Sequence, residues 1–219
     1  MASPALRISI GTLTLVFTTA WFFLLPPDRL KASDKHYLHP SSARAAAAYY
    51  RAYPRLEKLL AIKKLKLGSP LFIRIFKDSY ELEVWLKDRS NRYRLFKTYF
   101  ICHYSGTLGP KQAEGDLQSP EGFYRVSSRQ LNPWSSDHLS FNLGYPNVYD
   151  RLRSRTGSSL MIHGGCTSTG CFAMSDYYMD EIYSLADAAL INGQHSFDVH
   201  IFPFRMSPEQ LNKHRQSPW

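Results

Sequence analysis

Acidic residues are scarce beside basic ones. Eighteen Asp and Glu face 27 Lys and Arg, giving a formal charge of +9 over 219 residues. Such a balance favours anionic partners: nucleic acid, an acidic lipid surface or an acidic polymer such as a cell wall. No nucleic-acid motif accompanies the charge, so nucleic acid is not an expected partner. Cysteine is scarcer still. Cys102, Cys166 and Cys171 are too few for a disulfide scaffold. An odd count leaves at least one thiol unpaired within an exported chain. Neither Gly (12) nor Pro (13) is in excess, and hydrophobic residues make up 44% of the chain. Global disorder is therefore excluded, and a real core is affordable.

An uncharged apolar run occupies residues 8–25, after Arg7 and before Pro26-Pro27. Eighteen residues sit at the lower limit for a spanning helix and exceed most signal-peptide cores. Residues 1–27 are accordingly expected to be an inner-membrane anchor, with a cleaved signal peptide as the alternative. Either way the rest of the chain is exported. Residues 28–40 read as a linker. A helix is expected after Pro40-Ser41-Ser42, kinked or divided at Pro54, with a second piece over residues 54–66. That piece sets Leu56, Leu59, Leu60 and Ile62 among Lys58, Lys63, Lys64 and Lys66, and Gly68 is a stop signal. Its basic face fits a membrane or wall, and equally a solvated surface.

The pattern then changes to short β segments. Leu82, Val84 and Leu86 alternate with Glu81, Glu83 and Lys87, the signature of a half-buried strand. Further strands are expected over residues 71–76, 93–103, 123–127, 139–143 and 160–163. Such a succession without intervening helices predicts an antiparallel sandwich or barrel, mainly β with flanking helices. One helix breaks the run: Ser175 caps it, and Met179, Ile182, Tyr183, Ala186, Ala189 and Leu190 form its apolar face up to Asn192-Gly193. A strand over residues 197–202 follows. A last short helix begins at Ser207-Pro208-Glu209-Gln210.

The segment that carries chemistry is Met161-Ile-His-Gly-Gly-Cys-Thr-Ser-Thr-Gly-Cys-Phe-Ala-Met174. A strand would bring His163 to a sheet edge, and a glycine-containing loop would return the chain to Cys171. An imidazole beside a thiol can take its proton and later hand it to a leaving amine. The N-terminal end of the helix at Ser175 would add a small preference for the thiolate. Gly170 permits close backbone approach, and the N–H groups of Thr169, Gly170 and Cys171 could form an oxyanion hole. Two other readings stay open on these residues alone. His163, Cys166 and Cys171 could be zinc ligands, and Cys166 and Cys171 could close a structural turn as a disulfide.

The same segment resembles the L,D-transpeptidase catalytic domain, the YkuD family. His163-Gly164 matches the first part of that family's signature, and Ser168-Thr169-Gly170-Cys171 the second. The similarity runs over about residues 69–206 and is nearer to the YafK-like subgroup. It is carried by Gly68-Ser-Pro-Leu-Phe-Ile-Arg-Ile-Phe76, Tyr104-Ser-Gly-Thr-Leu-Gly-Pro-Lys-Gln112, Ser119-Pro-Glu-Gly-Phe-Tyr124, Phe172-Ala-Met174 and Phe202-Pro-Phe-Arg-Met206. The expected layout is residues 1–27 as anchor or signal, 28–68 as linker and basic helices, 69–206 as catalytic domain and 207–219 as helix and tail.

The resemblance implies an L,D-transpeptidase-type β-sandwich or barrel in the cell envelope, acting on peptidoglycan stem peptides. Cys171 would be the acyl-enzyme nucleophile, His163 the proton shuttle, and the Gly164 carbonyl the group that orients His163. An amine acceptor would give transpeptidation, and water hydrolysis, without metal, nucleotide or other cofactor. Thr169 stands where most of the family has a second His, and Ala173 where most have Arg. Both departures agree with the subgroup, which is associated with release of a peptidoglycan-linked lipoprotein. A non-catalytic wall-binding module is the rival. Lys111, Arg151 and Arg205 are candidate contacts for substrate carboxylates. Cys102 and Cys166 are expected to lie close enough to pair, leaving Cys171 free.

Overall fold

The computed structural model describes residues 41–218. The first helix, α1, runs over Ala43–Lys63. Ser42 caps it, its Oγ accepting from the Ala45 N–H at 3.1 Å. Ala48, Ala52, Leu56 and Leu60 recur at four-residue spacing and are buried. The helix passes through Pro54 undivided, so of the expected kink or division the division does not occur. Proline removes the bond to the carbonyl of Tyr50, but Pro54 and Tyr50 are both exposed, so water can take that place. The helix ends at Lys64, ahead of Gly68, in a left-handed conformation with φ of 57°.

Two open five-stranded sheets follow. The first has the order β3-β2-β1-β10-β5. Its strands are β1 (Leu71–Phe76), β2 (Glu81–Lys87), β3 (Tyr93–Phe100), β5 (Gly122–Ser127) and β10 (Ser196–Phe202). The second has the order β4-β9-β8-β7-β6. It is built from β4 (His103–Tyr104), β6 (Leu131–Asn132), β7 (Ser140–Asn142), β8 (Met161–His163) and β9 (Phe172–Ala173). Three more helices complete the chain: α2 (Val148–Leu152), α3 (Asp176–Ile191) and α4 (Pro208–Lys213).

The expected mainly-β sandwich or barrel is thereby corrected to a mixed α/β domain. Neither sheet closes, and each contains a parallel pair: β1 with β10, and β8 with β9. A parallel pair needs a crossover, which consecutive strand patterns do not reveal. The 16-residue α3 is part of the core, as all positions from Met179 to Leu190 are buried. Two of the three acids among them are met by cations from outside the helix. Asp180 receives Arg51 of α1, and Glu181 receives Arg55 of α1 and Lys97 of β3.

Among the described residues, no helix is long and apolar enough to cross a membrane. The expected anchor over residues 8–25 lies outside the described residues. The expected attachment to a membrane, as a partner and as a location, thus has no helix among the described residues to carry it.

Candidate active site

The site grows from the parallel pair β8–β9. Ile162 faces Phe172, and His163 faces Ala173 on one side and Ser140 of β7 on the other. Ile162, Phe172 and Phe141 are fully buried in the core. Alternation sends His163 to the opposite face of that sheet. Its ring is still largely covered, the residue being 5% exposed. His163 Nδ1 lies 2.6 Å from the carbonyl oxygen of Gly164. A carbonyl only accepts, so Nδ1 carries the proton, and in the neutral ring the lone pair then falls on Nε2.

Gly164 is a glycine because of close approach. A Cβ there would lie 2.6 Å from Asp176 Oδ1, 2.7 Å from His138 Cβ and 2.9 Å from the Asp137 carbonyl oxygen. Its N–H donates to the Leu139 carbonyl at 3.0 Å. The next N–H, of Gly165, donates to Asp176 Oδ1 at 2.8 Å. The turn that carries the imidazole's acceptor is thus walled by the start of α3 and by residues 137–139.

Cys171 is a free thiol of intermediate exposure, two residues before the position paired with His163. Its Sγ accepts from the Met161 N–H at 3.3 Å and points to the Ser159 carbonyl at 3.7 Å. Burial, first of all, pushes the thiol above its ordinary value. The Met161 N–H pulls it down, Asp137 pushes it up and Lys111 pulls it down. Desolvation is the largest of these influences, and the net direction is upward.

The loop into Cys171 is tied by serines. The Cys171 carbonyl accepts from Ser168 Oγ at 2.8 Å and from Ser119 Oγ at 2.9 Å. Gly170, at φ of +100°, occupies backbone space that L side chains rarely adopt. Its N–H donates to Ser105 Oγ at 2.5 Å. Of the three expected oxyanion donors, Gly170 is therefore engaged elsewhere, while Thr169 is exposed and Cys171 immediately precedes β9.

Cys102 and Cys166 form a disulfide with Cα atoms 5.2 Å apart. That removes the turn disulfide between Cys166 and Cys171. It also takes Cys166 from the zinc alternative. Among the described residues, no group of three or more His, Cys, Asp or Glu is placed to hold a metal ion.

The three candidate cations do not converge. Lys111 is buried and donates to the Ala113 carbonyl at 2.8 Å and to Asp116. Its charge still acts on Cys171. Arg151 donates to the Pro146 carbonyl and lines a separate groove with Phe123, Arg125 and His200. Arg205 sits against the first sheet. It bonds Glu81 and Glu83 of β2 at 2.7 Å each, its guanidinium 4.2 Å from the centre of the Phe76 ring. Sequence reasoning gave no role to Ser105, Ser119, Asp137, His138 or Asp176. The first two lie inside the quoted motifs, where their hydroxyls are a usable signal. The other three are isolated polar residues whose importance comes only from the fold.

Residues 72–195 match the L,D-transpeptidase catalytic domain, YkuD, and the chain belongs to that family. Among its relatives is YafK of Escherichia coli strain K12, a protein that carries an L,D-transpeptidase name. It is 46% identical over 155 residues, which cover 71% of this chain and 63% of YafK. YafK of E. coli O157:H7 matches to the same extent. The chain thus spans less than two thirds of the length of these curated relatives. More distant similarity links it to the helical cell shape determining protein Pgp2 from Campylobacter jejuni, at 20% identity and a TM-score of 0.48, covering 68% of this chain and 56% of Pgp2. Bd1075 from Bdellovibrio bacteriovorus is 23% identical with a TM-score of 0.42, covering 68% and 53% of the two chains.

Proposed function

We propose that the protein is a cysteine-dependent acyl transferase of peptidoglycan stem peptides, with Cys171 as nucleophile and His163 as base. The observation that carries this reading is the 2.6 Å contact between His163 Nδ1 and the Gly164 carbonyl, one residue from the start of the loop that ends at the free thiol. It leaves Nε2 as the acceptor for the Cys171 proton. The thiolate attacks the carboxyl carbon at the L-centre of a stem-peptide diamino acid. Backbone N–H groups at Cys171 and Thr169 receive the negative oxygen. The imidazolium returns its proton to the departing amine, leaving a thioester. An amine acceptor then gives a crosslink, and water gives a free carboxylate.

Membership in the family supports the reaction class, and the half-covered thiol supports access for either acceptor. Thr169 and Ala173, in place of His and Arg, take an imidazole and a guanidinium from the site and weaken the case for standard 3→3 crosslinking, and the YafK-like resemblance favours the hydrolytic outcome. The Cys102–Cys166 bond supports an oxidising compartment of the cell envelope. The test is incubation of wild type and Cys171→Ala with intact sacculi and with tetrapeptide muropeptides. New 3→3 dimers mark transfer, and released lipoprotein marks the amidase. Equal product from both proteins removes Cys171 from the reaction. No product from either leaves the wall-binding module as the reading.

A further inference from the structure

The helix that precedes the matched domain reaches its catalytic turn. The family match begins at residue 72, whereas α1 ends at Lys63. From α1, Arg51 makes a two-pronged bond to Asp180 of α3, Nε to Oδ2 at 2.8 Å and Nη2 to Oδ1 at 2.9 Å. The same Oδ1 is 2.6 Å from His138 Nε2. His138 in turn presses on Gly164, its Cβ 2.7 Å from where a Cβ of Gly164 would stand. Gly164 supplies the oxygen that holds His163 Nδ1.

A second line runs in parallel from the start of the helix. Arg44 Nη1 donates to the Ser135 carbonyl at 2.5 Å and to the His138 carbonyl at 2.8 Å. Ser42 Oγ donates to the Pro133 carbonyl at 2.7 Å. These bonds hold residues 133–138 from the side away from the turn. That segment has little ladder of its own: it lies between the two-residue β6 and the three-residue β7, with His138 at φ of 68°.

We infer that α1 is a positioning element for the catalytic imidazole, and that Arg51, acting through Asp180 and His138, fixes the Gly164 carbonyl which sets the His163 tautomer. Arg51 and Asp180 touch no reacting atom. Their effect is geometric: the turn has no slack beside Gly164, so a shift of His138 moves the acceptor oxygen. The inference rests on the proposed role of His163, and its test has one arm that needs no turnover.

The test compares the full chain with Arg51→Met, Arg51→Lys, Asp180→Asn and, as control on the exposed side of α1, Lys58→Met. The first arm is the nitrogen NMR signature of the His163 ring. Wild type and Lys58→Met should show a single Nδ1–H tautomer, Arg51→Met and Asp180→Asn a mixture, and Arg51→Lys a return toward wild type. The second arm is steady-state turnover of muropeptides per folded molecule. Arg51→Met should lower kcat about tenfold with KM unchanged within about twofold, since misplacement of a catalytic group acts on the reacting geometry. If Arg51→Met does not fold, Arg44→Ala tests the same connection by freeing the Ser135 and His138 carbonyls. A wild-type tautomer in every variant, or a loss confined to melting temperature or to KM, overturns the inference. Wild type that lacks Cys171-dependent turnover overturns the proposed function instead, and the NMR arm still decides the positioning.

Discussion

The two sheets solve different problems. The first has strands of six to eight residues with long ladders, interrupted once by a register shift at Val84/Trp85 between β2 and β3, and its buried residues alternate along β1, β5 and β10. The second is made of strands of two or three residues. Every residue proposed for the chemistry sits on the second or in the loop that joins its strands β8 and β9. Short strands leave backbone N–H and C=O groups for loops, and the polar side chains around them take over the work of the ladder. Ser105, Ser119 and Ser168 hold the path into Cys171, and the disulfide ties Cys166 to Cys102 just before β4. Regular pairing gives stiffness cheaply, while irregular pairing gives a place where a thiol and an imidazole can be presented. The second sheet thus adds side-chain bonds to the burial that both sheets share.

That contrast can be broken in three ways. Phe197→Ala empties a fully covered position of β10, and a loss of about 3–5 kcal/mol is expected from the cavity. Denaturant unfolding measures it, and activity per folded molecule should be retained. A loss of activity without a loss of stability would show that the scaffold sheet is not separate from the site. Next comes Cys102→Ser with Cys166→Ser, which opens a link spanning 64 residues. Loop-closure entropy gives a loss of roughly 4 kcal/mol at most. Here turnover should fall as well, because Cys166 lies in the catalytic loop. Full activity in the reduced form would deny the disulfide any part in presenting the site.

The smallest effect is on the thiol itself. Burial disfavours the anion, so the pH midpoint for alkylation of Cys171 by iodoacetamide should lie above about 8.5, the value of an ordinary thiol. The sign is fixed: at neutral pH the thiolate fraction is lower than in a free cysteine, and modification is slower. A midpoint below the ordinary value would mean that Lys111 and the Met161 N–H outweigh desolvation.

The scaffold was the more legible half. Period-two alternation found β2 and β10, and period 3.6 found α3 with its Ser175 cap and its end near Asn192. Two things escaped. Parallel pairing of β1 with β10 is set by chain return and leaves no local trace, so the sequence read as all antiparallel. Pro54 read as a break because its exposure on α1 cannot be seen in one dimension. In the second sheet, strands of two residues have no period to detect. Cys171 and His163 were nominated there because small residues surround two reactive ones, and the family resemblance narrowed the choice among acyl transfer, zinc and a turn disulfide. Arg205 and Lys111 were nominated as cations for substrate, but Glu81, Glu83 and Asp116 claim them. Opposite charges brought together by the fold are invisible to spacing.

The position of β10 between β1 and β5 has a consequence for how the molecule is made. Strand β1 lies mid-sheet, yet the neighbour that covers its open side is Ser196–Phe202, near the other end of the chain. A nascent chain therefore carries a three-strand meander with the β1 edge bare until residues 196–202 have emerged. Contacts of such long sequence separation make folding slow, and an uncovered strand edge invites pairing with other chains. Dependence on a holding chaperone during folding should thus be greatest just before residues 196–202 arrive, and should drop once they dock.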